Sequence, residues 1–389
     1  MSLFKHVTTR QTRVKTMKLG DSFKKNLTTR QLPSLFKERE VALGRTDKVF
    51  ASQWLDERKV VCGTKSNQLL VLDMTSDWKI SLPVLEGSPA SEMPEVNCGI
   101  HSIKISPERN LLATRATNEN SNFLFFHLIL TLGTSEMSPI YQAHNQNNST
   151  SSPGSRDGSI SLWCVQDPVT QKEDNELNLC IKSPASRLYS TLDQQNKGKD
   201  KIRDLVYERN SQTLVSLSAL GYVHLWDMNT CQAKSTMTLK YPDETVCLAL
   251  EKDNMLFAVG SQSHISFYDV RCGKAVGFIS SSDRGAGVRS LSFRDLLLTV
   301  GTGLGSLFFF DMRTCSFLAH RNTDQMLCYR SGKGWLRDLG QFDYIFDHTH
   351  ACCSNAVYTH CYDPTGTKLF AAGGPLSLVL YGNYAALWE

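Results

Sequence analysis

The chain lacks an apolar run long enough to cross a membrane as a helix. Such a span needs about 18 residues, and the longest candidate, Phe123 to Leu132, is interrupted by His127. It lacks an apolar leader as well: residues 1–20 alternate charge and polarity. That excludes a secretory signal and sets the expectation of a cytoplasmic and/or nuclear protein with no membrane partner. Its twelve cysteines never stand in a Cys-x-x-Cys pair and are scattered from Cys62 to Cys361. In a reducing compartment they read as small buried hydrophobes and not as disulfides. Asp347, His348, His350, Cys352 and Cys353 fit no standard zinc spacing, so no metal is expected. Gly301 to Ser306 (Gly-Thr-Gly-Leu-Gly-Ser) is followed by the strand-like Leu-Phe-Phe-Phe-Asp. The helix terminus that a dinucleotide phosphate needs is therefore absent there. No nucleophile elbow or paired Cys and His stands out. The expectation is a non-enzyme with no catalytic residues and no cofactor.

What the chain does have is uneven charge. It carries 42 Lys and Arg against 38 Asp and Glu. Residues 1–40 hold ten basic residues (Lys5, Arg10, Arg13, Lys15, Lys18, Lys24, Lys25, Arg30, Lys37 and Arg39) and only three acidic ones. The basic surplus therefore belongs to the leader, and the body is slightly acidic. A basic leader suits nucleic acid or an acidic protein surface. The acidic body, and a leader without interleaved aromatics for stacking bases, argue against direct nucleic-acid binding.

It also has a repeat. Three stretches, starting at Lys201, Glu244 and Ala286, each read as strand, turn, strand, Gly/Ser turn and a strand ending in an aromatic. Those aromatics, Trp226, Tyr268 and Phe310, fall 42 residues apart. An aromatic-Asp ending at this period marks WD-type propeller blades. Weaker copies begin at Lys48, at Gly99 and at Ala356, and a fragment ends at Trp163. The expected fold is all-β: a seven-bladed WD-repeat β-propeller over residues 48–389, with a degenerate third blade. An aberrant stretch is expected at 114–153, and long connections at 166–199 and 317–355.

Equivalent positions in the blades share a rim. The third position of each first strand supplies Phe50, His101, Arg203, Cys247, Arg289 and Tyr358, with Lys48 and Lys201 two residues earlier. The turn between the second and third strands supplies Lys65, Arg156, Ala219, Gln262 and Gly303. Lys48, Lys65, Arg156, Lys201, Arg203 and Arg289 should thus converge around the channel mouth. Six gathered cations repel one another unless an anion meets them, and Arg forks favour carboxylates or phosphates. On the opposite rim, Asp269-Val270-Arg271 and Asp311-Met312-Arg313 place matched arginines on neighbouring blades, which suits docking onto a partner.

Several blocks carry a resemblance: QLPSLFKERE (31–40), KVFASQWL (48–55), SRDGS (155–159), TVGTGLGSLFFFDMR (299–313), GKGWL (332–336) and GNYAALW (382–388). The chain resembles the WD-repeat substrate receptors of cullin-4 ubiquitin ligases, the adaptor-and-cullin-4-associated factors. Within them it is most similar to the twelfth member or a paralogue of it. The resemblance implies a basic, partly helical leader (1–40) in which a helix-loop-helix docks on the ligase's damaged-DNA-binding-protein adaptor. Leu3, Phe4, Phe23 and Leu27 would be its apolar contacts, joined by Asp269, Arg271, Asp311 and Arg313. It implies that the six rim cations hold substrate C-termini ending in acidic residues, typically two glutamates. Partners would then be the adaptor, the cullin-4 core and such substrates, with the ubiquitin chemistry on other subunits. The alternatives are a decayed paralogue serving only as an interaction scaffold, and a nucleic-acid-associated propeller.

Overall fold

The computed structural model describes residues 31–82, 99–105, 111–117, 122–128, 160–162, 186–188 and 200–389. Within the last range, 231, 252–254, 272, 282, 284, 321–322, 338–353 and 378–379 are excepted. Twenty-seven strands, β1 to β27 in chain order, form seven sheets among these residues. After the short strand β1 (Glu38–Glu40), blade one holds β2 (Val49–Trp54), β3 (Lys59–Thr64), β4 (Leu69–Asp73) and β5 (Lys79–Leu82). Blade two holds β6 (Gly99–Ile105), β7 (Leu111–Thr117) and β8 (Asn122–Leu128), and blade three β9 (Ile160–Leu162) and β10 (Ser186–Leu188). Blade four is β11 (Ile202–Glu208), β12 (Thr213–Ser218), β13 (Tyr222–Asp227) and β14 (Gln232–Thr238). Blade five is β15 (Cys247–Glu251), β16 (Leu256–Gly260), β17 (His264–Asp269) and β18 (Lys274–Ser280). Blade six is β19 (Val288–Arg294), β20 (Leu297–Thr302), β21 (Ser306–Asp311) and β22 (Ser316–Phe317), extended by β23 (Cys328–Arg330) on β21. Blade seven is β25 (Asn355–Tyr362), β26 (Leu369–Pro375) and β27 (Gly382–Trp388), with β24 (Trp335–Leu336) and β1 both on β27.

The burial pattern explains the stacking. Strands β12, β20, β21, β26 and β27 are buried along their whole length, while β14 on the outer edge is almost wholly exposed. A strand covered on both faces carries a near-continuous apolar run, as LFFF in β21 and AALW in β27 do. The terminal aromatics Trp226, Tyr268, Phe310 and Trp388 are all buried. Phe310 meets Phe267 of the neighbouring blade at 5.9 Å between ring centroids. The core is therefore a ring of inter-blade seams. The first strands pack in the order β6, β2, β25, β19, β15, β11.

Three sequence expectations need correction. Residues 31–40 are not wholly a leader. Strand β1 pairs with β27, Glu38 opposite Trp388, and Phe36 is buried 6.2 Å from Phe309. The outer edge of the last blade is thus supplied from the N-terminal side, tying the two ends of the propeller into one sheet. The stretch 114–153 is regular at its start. It carries the end of β7 and then β8, where NFLFFHL combines the β-branched-poor but aromatic composition that still pairs well in a sheet. The connections 166–199 and 317–355 also contain strands: β10 in the first, and β23 and β24 in the second. Two of them add edges to existing sheets, which two- or three-residue segments do without showing any alternation in the sequence.

Candidate functional site

The two columns inferred from the repeat meet, and backbone hydrogen bonds join them. Lys65 N donates to Lys48 O (2.8 Å), Ala219 N to Lys201 O (2.7 Å), Gln262 N to Asp243 O (2.8 Å) and Gly303 N to Gly287 O (3.0 Å). One rim therefore collects the entry to the first strand and the turn between the second and third strands in four blades.

The first strand carries a second device. Its pairing with the next strand shifts register around Phe50, His101, Arg203, Arg289 and Tyr358, each left without a partner in the ladder. A bulge of this kind bends the strand and re-aims the extra side chain. All five bulged residues line one central cavity of about 550 Å³. Blade five has no shift: Cys247 pairs regularly with Gly260 and sits on the cavity wall as a small buried side chain.

Taken in ring order, the wall divides in two. His101, Phe50 and Tyr358 form an aromatic half. Phe50 stacks on His101 (4.6 Å, 13°) and meets Tyr358 edge-on (5.2 Å, 82°). Arg289, Arg203 and Lys201 form a cationic half, with Lys104 also on the wall. Beside them on the wall, part-buried Asp204 is a fastener. It accepts from Leu205 N (2.8 Å) and from Leu248 N of blade five (2.7 Å). Burial raises its carboxyl to about 6, against the pull of those donors and of Lys104. His360 fastens blades six and seven, linked to Ser290 Oγ (2.8 Å) and Ser292 Oγ (2.7 Å). Burial lowers its imidazole to about 4.

The six expected cations separate into three groups. Lys201, Arg203 and Arg289 reach the cavity wall. Among the described residues Lys201 and Arg203 make no ion pair, whereas Arg289 Nη2 lies 2.8 Å from Glu244 Oε2 and its Nε donates to Ala286 O (3.2 Å). Lys48 and Lys65 flank Asp47 instead, each Nζ 3.5 Å from one of its oxygens. The expectation of an open rim cation fails for Lys48. Its side chain is 1% exposed, and its ammonium donates to Leu380 O. Burial lowers its pKa, partly offset by Asp47. Lys65 remains part-exposed, and its backbone adjoins Gly99 beside His101. Arg156 lies outside the described residues.

On the opposite rim the two Asp-x-Arg turns adopt the same form. Arg271 N, Nε and Nη2 all donate to Asp269 (2.8, 3.0 and 2.6 Å). Arg313 does the same to Asp311 (2.9, 3.3 and 3.1 Å). Asp73 and Asp227 hold the equivalent turns of blades one and four through Thr75 N and Asn229 N, with no arginine in the turn itself; their cations, Arg58 and Lys234, come from outside it (both 3.4 Å). The Asp is thus a turn device common to four blades, and an arginine two residues after it is what distinguishes blades five and six. Arg271 is 66% exposed and Arg313 34%. Leu3, Phe4, Phe23 and Leu27, and the candidate metal cluster Asp347 to Cys353, lie outside the described residues.

Sequence reasoning placed Phe50, His101 and Tyr358 in the right column but gave them no role. Their signal was there in the column itself, where three neighbouring blades share ring side chains. It missed Asp47 and Glu244, the acids that partner three of the expected cations. A profile described as the DDB1- and CUL4-associated factor 12 beta propeller matches residues 32–389, nearly all of the chain and including β1.

Proposed function

The chain belongs to the family of DDB1- and CUL4-associated factor 12 beta propellers, and from that membership we propose that it is a substrate receptor of a cullin-4 ubiquitin ligase, selecting proteins with acidic C-termini. It recruits, and ubiquitin transfer falls to other subunits. The observation that carries the specificity is the cationic half of the cavity. Lys201, Arg203 and Arg289 line one wall, and the first two lack an ion-pair partner among the described residues. A C-terminal Glu-Glu offers three carboxylates, two on side chains and one on the main chain, to those three cations. Charge-assisted contacts of this type are short and about twice as strong as neutral ones. Lys65 and Arg156 would complete the basic rim around the mouth, while the buried Lys48 stays with Asp47.

The docking side of the proposal uses the opposite rim. The exposed guanidinium of Arg271 and the half-buried one of Arg313 would meet the DDB1 adaptor, and Leu3, Phe4, Phe23 and Leu27 of the leader would add apolar contacts to it. Affinity capture of the full chain tests the assignment. DDB1 and CUL4 should co-purify, and a reporter ending in Glu-Glu should be captured where the same reporter ending in Ala-Ala is not. Capture of neither the ligase subunits nor the acidic reporter would overturn it.

A further inference from the structure

The position three residues before Phe50, Arg203, Cys247, Arg289 and Tyr358, the matching places of the first strands in blades one, four, five, six and seven, forms a column of its own: Asp47, Asp200, Glu244, Ala286 and Asn355. In most blades it serves the fold. Asp47 is buried and accepts from Gly382 N (3.2 Å), Asp200 is buried and accepts from Leu220 N (3.1 Å), and Asn355 is buried and donates to Gly332 O and Lys333 O (2.9 and 2.7 Å). Glu244 breaks the pattern. It is one methylene longer than the aspartates, its side chain is 48% exposed, and it reaches Arg289 of the next blade at 2.8 Å.

Its backbone is unusual too. Among the described residues six non-glycines have positive φ, and Glu244 is one of them at 48°. The other five (Asn67, Gln212, Met255, Asp295 and Cys315) sit in turns between consecutive strands of a single blade. Glu244 alone sits in a crossing between blades, from β14 to β15. Left-handed backbone suits Gly or Asn better than Glu, and strain held by its surroundings points to a role for the residue. The surroundings do hold it: the next residue, Thr245, is buried and donates to Ser218 O (3.0 Å).

We propose that Glu244 is a built-in stand-in for a ligand carboxylate: it occupies Arg289 in the empty receptor, is displaced by an incoming acidic tail, and so sets how strongly the mouth takes such tails. This rests on the reading of the cavity as a carboxylate site. The contrast with Asp47 supports displacement. Asp47 is 5% exposed and wedged between two lysines and a backbone amide, so it stays. Glu244 reaches Arg289 from solvent, and its carboxylate regains full hydration when it swings away. Arg289 meanwhile stays aimed, because its Nε is anchored on Ala286 O. An occupied guanidinium also spares the empty channel a third unpaired cation beside Arg203 and Lys201.

Fluorescence polarisation with a labelled peptide ending in Glu-Glu, on the full chain and on Glu244→Gln, Arg289→Ala and the double variant, tests this. Glu244→Gln keeps the shape and removes the charge. It should tighten binding about two- to fivefold, the range of a part-exposed ion pair, and give no gain where Arg289 is already alanine. Binding by Glu244→Gln with none by the native chain would support the stand-in even more strongly. If the native chain binds and Glu244→Gln binds equally, the stand-in is overturned while the carboxylate site survives. If neither binds, both are overturned.

Discussion

The two halves of the channel are built by one backbone device and differ only in what the device carries. In blades one, two and seven the bulge presents Phe50, His101 and Tyr358, which pack on one another. In blades four and six it presents Arg203 and Arg289, which do not. Rings can satisfy themselves with neighbouring rings. Cations cannot, so each either finds an acid, as Lys48 and Lys65 find Asp47, or stays open to one from outside. The difference teaches that the aromatic half is a finished structure and that the cationic half, under the proposed function, is the one a ligand completes.

The largest effect should come from treating a finished cation as though it were open. Lys48→Met leaves Asp47 buried with Lys65 and Gly382 N, and should cost about 3–5 kcal/mol in urea unfolding. A much smaller loss would mean that Lys48 is exposed in solution and belongs with the open group.

Next in size is the seam behind the wall. His360 is held neutral, with its folded pKa at about 4, below the ordinary imidazole value of 6.5. Its stabilising share is present above about pH 6.5 and is lost as pH falls towards 4, roughly 3 kcal/mol in all. His360→Gln should flatten that part of the stability–pH curve, read by thermal melts across the range. An unchanged slope would mean that imidazole is not the group being titrated. Asp204 acts in the opposite sense over part of the same window. Its raised carboxyl favours the fold below about pH 4, and that share is lost as pH rises through about 6. The two are separated by the variant.

Smaller still is the salt response of the open half. Binding of a Glu-Glu peptide should weaken about fivefold between 50 and 500 mM salt, because the mouth is solvated and screening reaches it. The smallest effect belongs to the aromatic half. Phe50→Ala should alter peptide affinity by less than about threefold while lowering the melting temperature, since the stack is worth about 0.5–1.5 kcal/mol beyond its burial. A larger fall in affinity would show that the rings touch the ligand.

The repeat was legible because spacing survives translation into structure. The 42-residue step between Trp226, Tyr268 and Phe310 fixes equivalent positions, and equivalence gathers six cations on one rim, of which Lys201, Arg203 and Arg289 line the cavity while Lys48 is buried. Blade seven and its N-terminal edge strand were harder. The three residues of β1 are all exposed, Glu-Arg-Glu, and nothing in their composition announces a partner near the other end of the chain. Pairing among charges was not legible at all from the spacing. Lys48 and Lys201 hold the same place in their blades, yet one is buried against Asp47 and the other faces the cavity. What separates them is the carbonyl of Leu380, to which Lys48 donates, a contact set by distant sequence.

The central claim is that the cationic half is the part that a ligand completes. A fluorescence-polarisation titration of a Glu-Glu-ended peptide against the native chain and Arg203→Ala tests it most directly. Loss of a charged hydrogen bond worth about 1.5–3 kcal/mol predicts at least a tenfold weaker Kd for the variant, with its melting temperature unchanged. Equal affinity for the two proteins would contradict the account.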